Sequence, residues 1–208
     1  MVLFQSKKGM IMGLIKSGRL EVVTGGMFSG KTEELIRRLE RVRIAHKEVV
    51  IFKPRIDNHY SEQAIMTHYG REFIAHPLAS GSESFFVLES IAGVDAIEFA
   101  TVVAFDEAQF FSDKLPGLCE ELVRKGKRVI VAGLDLTFAR QPFGSMPALM
   151  ALANDVDKLH AVCVKCGGEA TCSQRLINGK PASANDEVVV VGGEELYQAL
   201  CLDCYEKG

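Results

Sequence analysis

Apolar positions along the chain switch between two periods. Leu20, Val22 and Val23 form a short β-prone run ahead of paired glycines, and Leu35, Ile36, Leu39 and Val42 then recur on one helical face. The pattern predicts strand, glycine-rich turn and helix, in that order. A buried-strand pattern over Val49–Lys53 is stopped by Pro54, and a polar loop follows from Arg55 to Gln63. Residues 83–92 read as a helix, Thr101–Phe105 as a strand, 112–125 as a helix closed by Gly126, and Arg128–Ala132 as a further strand. Apolar strands alternating with helices predict right-handed βαβ crossovers and a parallel sheet covered on both faces. Near residue 156 the chain turns short-stranded and rich in Cys and Gly. The expected organisation is a loose tail over residues 1–17, an α/β domain over 18–155 and a smaller domain over 156–208.

Composition changes this picture little. A chain of 208 residues, 48% hydrophobic, suits one medium domain with a small appendage. Its net charge of −3 gives no basic tract for nucleic acid. The richest cationic stretch, Arg37 to Lys47, alternates with Glu40 and apolar positions and reads as a solvated helix face. Lys7 and Lys8 precede an apolar stretch, Gly9 to Ile15, that is too short for a secretory signal and lacks a small-x-small cleavage site. No run approaches the ~20 apolar residues of a membrane helix. A cytoplasmic protein with no membrane and no nucleic-acid partner is expected.

The glycine turn adds chemistry. Residues 25–32, Gly25-Gly26-Met27-Phe28-Ser29-Gly30-Lys31-Thr32, fit the phosphate-binding pattern G-x-x-x-x-G-K-[ST] at every fixed position. The glycines let backbone N–H groups curl around phosphate oxygens, and the helix beginning near Lys31 adds its positive dipole end. Lys31 is expected on the β- and γ-phosphates and Thr32 on Mg²⁺. A glycine turn with a surface lysine would look the same without its context; strand before and helix after favour a nucleoside triphosphate site.

A second signal supports it. The run Val102–Phe105 ends in Asp106-Glu107, an acid at the carboxyl end of a buried strand, where a carboxylate can hold the phosphate-bridging Mg²⁺. Glu107 is free to accept a proton from an attacking hydroxyl or water, or is simply a surface acid; the residues alone leave both open. Two Cys-x-x-Cys turns, Cys163/Cys166 and Cys201/Cys204, supply four thiolates for a tetrahedral structural Zn²⁺. Disulfides are the rival reading, disfavoured without a secretory signal. Cys119 and Cys172 read as small buried residues.

Together these motifs resemble the cellular-type (type II) thymidine kinases. The shared stretches are Gly-Met-Phe-Ser-Gly-Lys-Thr (26–32), Phe-Lys-Pro-Arg-Ile-Asp (52–57), Asp-Glu-Ala-Gln-Phe-Phe (106–111), Gly-Leu-Asp-Leu-Thr-Phe (133–138), Pro-Phe-Gly (142–144) and Val-Gly-Gly-x-x-x-Tyr (191–197). The resemblance implies a P-loop (RecA-like) parallel sheet flanked by helices, with a small zinc-binding domain carrying a loop over the substrate. It implies ATP- and Mg²⁺-dependent phosphorylation of thymidine, and of deoxyuridine, at the 5′-hydroxyl, in nucleotide salvage. Glu107 stands at the position of the general base, and Asp106 through Gln109 match the second nucleotide-binding segment. Met27, Phe110, Leu134, Phe138 and Phe143 match the walls of the thymine pocket, and Ser173 lies near the base. Val188 and Val190 would offer backbone groups to the thymine edge, while Gly192 and Tyr197 would contact the sugar side. Read without the resemblance, Val188–Val191 is a plain strand and the aromatic residues are core.

One departure is His59 in Asp57-Asn58-His59-Tyr60, where many relatives carry Arg; Arg140 and Arg175 are alternative cations. A homotetramer and feedback inhibition by thymidine triphosphate are implied by the resemblance alone. The rival from another class is a zinc-ribbon ATPase acting on nucleic acid, which lacks its basic stripe here; a binding-only nucleotide sensor would need no base.

Overall fold

The computed structural model describes residues 18–55, 64–66, 72–188, 190, 193 and 195–208. The tail over 1–17, the Asp57–Tyr60 segment with most of the expected polar loop, and Gly192 lie outside the described residues. A six-stranded sheet is built from β1 (Arg19–Gly25), β2 (Val49–Pro54), β5 (His76–Leu78), β6 (Val102–Phe105), β7 (Arg128–Leu134) and β8 (Asp155–Leu159). Its order is β5-β2-β6-β7-β1-β8, and every pairing is parallel. Between β2 and β5 lies a small antiparallel pair, β3 (Ala64–Met66) and β4 (Glu72–Ile74).

Strict side-chain alternation decides which helix covers which face. Leu20, Val22, Phe52, Val103, Phe105, Val129 and Val131 face α2 (Phe85–Ala92), α3 (Val94–Phe99), α4 (Leu115–Arg124) and α5 (Met146–Leu152), together with Leu88, Ile97, Leu118, Leu122 and Leu149. Val23, Ile51, Val102, Ala104, Ile130 and Ala132 face the opposite way, onto Leu35, Ile36, Leu39 and Val42 of α1 (Lys31–Ile44). The strand and helix readings of the first two thirds hold. Helix α4 starts three residues later than residue 112, because Ser112 is held outside it: Glu83 accepts from its backbone N–H and its hydroxyl, both at 2.7 Å. Pro116 then occupies the first turn, where its missing N–H costs nothing.

Beyond β8 come β9 (Ala161–Val162), β10 (Glu169–Ala170), β11 (Cys172–Ile177), β12 (Lys180–Pro181) and β13 (Tyr197–Leu200). β9 and β10 pair with each other, and β11 is central between β12 and β13. A division of the chain at residue 156 would pass through β8, which pairs with β1 over Glu21–Gly25. Val188 and Val190 lie in no strand.

Candidate active site

The phosphate loop leaves β1 at Gly25, whose neighbours are Leu134 at the end of β7 and Leu159 at the end of β8. Gly25 has φ 139, and a Cβ there would sit 2.2 Å from the Leu159 carbonyl oxygen. Only glycine fits that approach. Gly30 (φ 83) caps α1, its carbonyl accepting from the Glu34 N–H at 2.9 Å. Phe28 also takes a left-handed conformation at φ 63 and projects part of its ring into solvent. The Gly26 carbonyl accepts from Ser29 Oγ at 2.8 Å and from Lys31 Nζ at 2.7 Å, so the lysine lies across the loop mouth.

Lys31 and Thr32 face two acids. Thr32 Oγ1 donates to Asp106 Oδ2 at 3.4 Å, joining the start of α1 to the end of β6. The Asp106 N–H donates to the Phe52 carbonyl at 2.9 Å, which extends the sheet by one rung and aims the carboxylate over its carboxyl edge. Burial, then the neighbouring Glu107 charge, pushes Asp106 up to about 7. Burial also lowers Lys31, opposed by the charges of Glu107, Asp106 and Asp135. Two close carboxylates at a buried edge favour a bound cation, and Thr32 with Asp106 is the oxygen pair that can hold Mg²⁺.

Glu107 turns away from Asp106 because its backbone is left-handed, φ 51 and ψ 42. That conformation costs a non-glycine residue on the order of 1–3 kcal/mol and recurs at functional positions. Its Oε2 accepts from Gln109 Nε2 at 2.5 Å, while Gln109 Oε1 accepts from the Leu134 N–H at 2.9 Å. Gln109, expected with the nucleotide, thus lies between Glu107 and the end of β7.

The residues expected around thymine fall into two groups. Met27 packs on buried Phe138, Ala182 and Tyr197. The Met27 N–H donates to Ser173 Oγ at 2.9 Å, so Ser173 on β11 holds the phosphate loop directly. Phe110 and Phe143 form an edge-to-face pair at 5.6 Å, beyond the end of β7 where Leu134 is half-buried. The Tyr197 hydroxyl donates to the Val190 carbonyl at 2.9 Å, and Arg175, stacked 5.3 Å over the Phe138 ring, donates to the Glu187 carbonyl. Of the expected loop contacts, Val188 is largely exposed and the Val190 carbonyl is taken by Tyr197. Arg140 lies 5.9 Å over the ring of Tyr205, apart from the phosphate loop. Sequence reasoning missed Tyr205, whose hydroxyl donates to the Phe138 carbonyl at 2.8 Å; its only signal was its place beside Cys204.

Cys163, Cys166, Cys201 and Cys204 bring their sulfurs within 4.8 Å of one another. Each pair sits on a tight turn, closed by Gly167 N–H to the Cys163 carbonyl at 2.8 Å and Tyr205 N–H to the Cys201 carbonyl at 3.0 Å. Backbone N–H groups, that of Cys201 first, draw Cys163 down to about 6, while the Cys201 thiol and its neighbours push Cys204 up to about 12. Four thiolates this close need a cation to offset their repulsion, and an all-sulfur tetrahedral set suits Zn²⁺. Cys119 and Cys172 are buried away from the cluster.

Among solved structures, the chain is similar to the genome packaging NTPase B204 from Sulfolobus turreted icosahedral virus 2 in complex with sulfate. That match has 14% identity over 70% of this chain and 76% of that one, with a TM-score of 0.44, too loose to bear on function. The thymidine kinase family matches residues 18–205, nearly the whole chain. With that match over a phosphate loop, a strand-end acid pair and a four-cysteine cluster, the chain belongs to the thymidine kinase family and is a nucleoside kinase.

Proposed function

We propose that the protein transfers the γ-phosphoryl group of ATP to the 5′-hydroxyl of thymidine, and of deoxyuridine more slowly, with Glu107 as general base. The observation that carries this reading is the gathering of Lys31, Thr32, Asp106 and Glu107 around the carboxyl ends of β1 and β6. Little covalent work falls to a kinase beyond positioning and charge stabilisation. Backbone N–H groups of Gly26–Thr32 bind the phosphates, and Lys31 moves from the Gly26 carbonyl onto their oxygens. Thr32 and Asp106 would hold Mg²⁺, which would supply positive charge to offset that of the phosphates. Glu107 removes the 5′-hydroxyl proton as that oxygen attacks. Met27, Leu134, Phe138 and the Phe110–Phe143 pair exclude water around the base, and its polar edge is read by backbone groups of Val188–Val190 other than the Val190 carbonyl, which Tyr197 holds. Cys163, Cys166, Cys201 and Cys204 would hold Zn²⁺, which would fix the root of the covering loop. Cytoplasmic salvage, a homotetramer and inhibition by thymidine triphosphate belong to the same proposal and are supported by family membership alone.

The test is kcat/KM for thymidine, deoxyuridine, deoxycytidine and a purine deoxynucleoside, with DNA tested separately as an ATPase activator. A site that pairs with the base edge rejects deoxycytidine by about 10⁴-fold, because cytosine leaves buried donors and acceptors unpaired. Loss of the 5-methyl group costs only ~1–3 kcal/mol, so deoxyuridine remains a substrate. Deoxycytidine turnover within about tenfold of thymidine removes backbone reading of the base. ATPase stimulated by DNA without nucleoside product overturns the function itself.

A further inference from the structure

The strand-end motif Asp106-Glu107-Ala108-Gln109 contains a residue whose amide is built into the fold more tightly than nucleotide contact requires. Gln109 is 3% exposed, on the 3₁₀ turn Ala108–Phe110. Its Oε1 accepts from the Leu134 N–H at 2.9 Å. Because a backbone N–H meets only the carbonyl end of an amide, that bond sets the orientation of the group. Nε2 must then face Glu107, whose Oε2 it meets at 2.5 Å.

Two glycines without a role so far make room for this residue. A Cβ on Gly133 would lie 2.8 Å from Gln109 Oε1 and 2.8 Å from Met146 Sδ. A Cβ on Gly144 would lie 2.4 Å from the Gln109 carbonyl oxygen. Gly144 also has φ 50, which other residues rarely adopt. Side chain and backbone of Gln109 are therefore each seated against a glycine, in the stretches Gly133–Phe138 and Pro142–Gly144.

From this geometry we infer that Gln109 is a positioning residue that acts through Glu107: its amide holds one carboxylate oxygen so that the other faces the substrate hydroxyl. The inference rests on Glu107 being the base. A carboxylate on a three-bond side chain otherwise samples several rotamers, and a donor fixed at both ends removes that freedom. Gly133 and Gly144 serve the reaction indirectly, by letting Gln109 approach.

The experiment compares Gln109→Met, Glu107→Gln and the double variant in steady-state thymidine phosphorylation. Gln109→Met keeps the volume and removes the donor. Loss of a hydrogen bond to a charged group predicts a kcat about ten- to a hundredfold lower, with KM for thymidine and ATP changed by no more than about twofold. The double variant falls no further than Glu107→Gln alone, since the donor then has no carboxylate to orient. If Gln109→Met disturbs folding, Gln109→Leu, which also lacks the donor and sets no second carboxylate against Glu107, gives the same pattern. An equal loss from Gln109→Met in both backgrounds, or a raised ATP KM at normal kcat, overturns the inference and returns Gln109 to the nucleotide. Near-normal kcat for Glu107→Gln would instead remove the base, a separate result.

Discussion

At the scale of single residues, Asp106 and Glu107 are chain neighbours whose tasks diverge with their backbones. Asp106 continues the sheet, is 6% exposed and meets Thr32; Glu107 turns left-handed and meets Gln109. Glu107→Gln is expected to reduce kcat by about 10²–10⁴-fold while ATP and thymidine still bind, because the amide cannot take the proton. Asp106→Asn should also weaken Mg²⁺-dependent nucleotide binding, read by equilibrium titration with and without the metal. Unchanged nucleotide affinity in Asp106→Asn would show that Asp106 is not a metal ligand. Legibility at this scale follows contiguity. The phosphate loop could be read residue by residue, since its backbone needs are met within eight adjacent positions. The Glu107–Gln109 bond could not, because it depends on a left-handed turn that no local pattern demands.

Among the elements, α1 shows what periodicity reveals and what it hides. Its apolar face was legible, and the same face carries a charge, Arg38, 9% exposed. Arg38 donates to Glu34 at 2.8 Å and to Glu21 of β1 at 2.9 Å, and also binds Asp157 of β8. Glu21 accepts two further bonds from Arg128 of β7 at 2.7 and 2.8 Å, so the network ties α1 to three strands. Arg37, through its hydrogen bond, and Arg38 hold Glu34 down at about 2, against an ordinary 4.5. A depressed carboxylate stabilises the fold fully above its unfolded value. That stabilisation is lost as pH falls from 4.5 towards 2. Glu34→Gln should therefore lower the urea midpoint at pH 7 and flatten its decline below pH 5, relative to the unsubstituted protein. Identical acid slopes for both would show that the network adds no pH-linked stability. Val188 and Val190, which read as part of a plain strand without the family resemblance, lie in no strand.

Across the whole molecule, the cysteine turns are fastened to both halves of the site. Ser173 holds the phosphate loop at Met27, and Tyr205, next to Cys204, holds the carbonyl of Phe138. Cys163→Ser or Cys201→Ser should therefore raise the thymidine KM and open residues 167–200 to protease, with ATP binding largely retained. Elemental analysis should find about one zinc per chain. Protein purified without chelator that holds no zinc, with all 6 thiols free, would sink the metal site. By itself, the sequence determined the layered α/β plan, the phosphate loop, the strand-end acids and the cysteine quartet. Each is encoded in short-range periodicity or in a motif whose chemistry is complete within a few residues. Tertiary structure alone decided that Gln109 faces Glu107, that Ser173 grips Met27 and that Tyr205 reaches Phe138. The bonds that settle these roles join residues 25, 146 and 67 positions apart, and such distances are closed only when the sheet and the C-terminal strands pack.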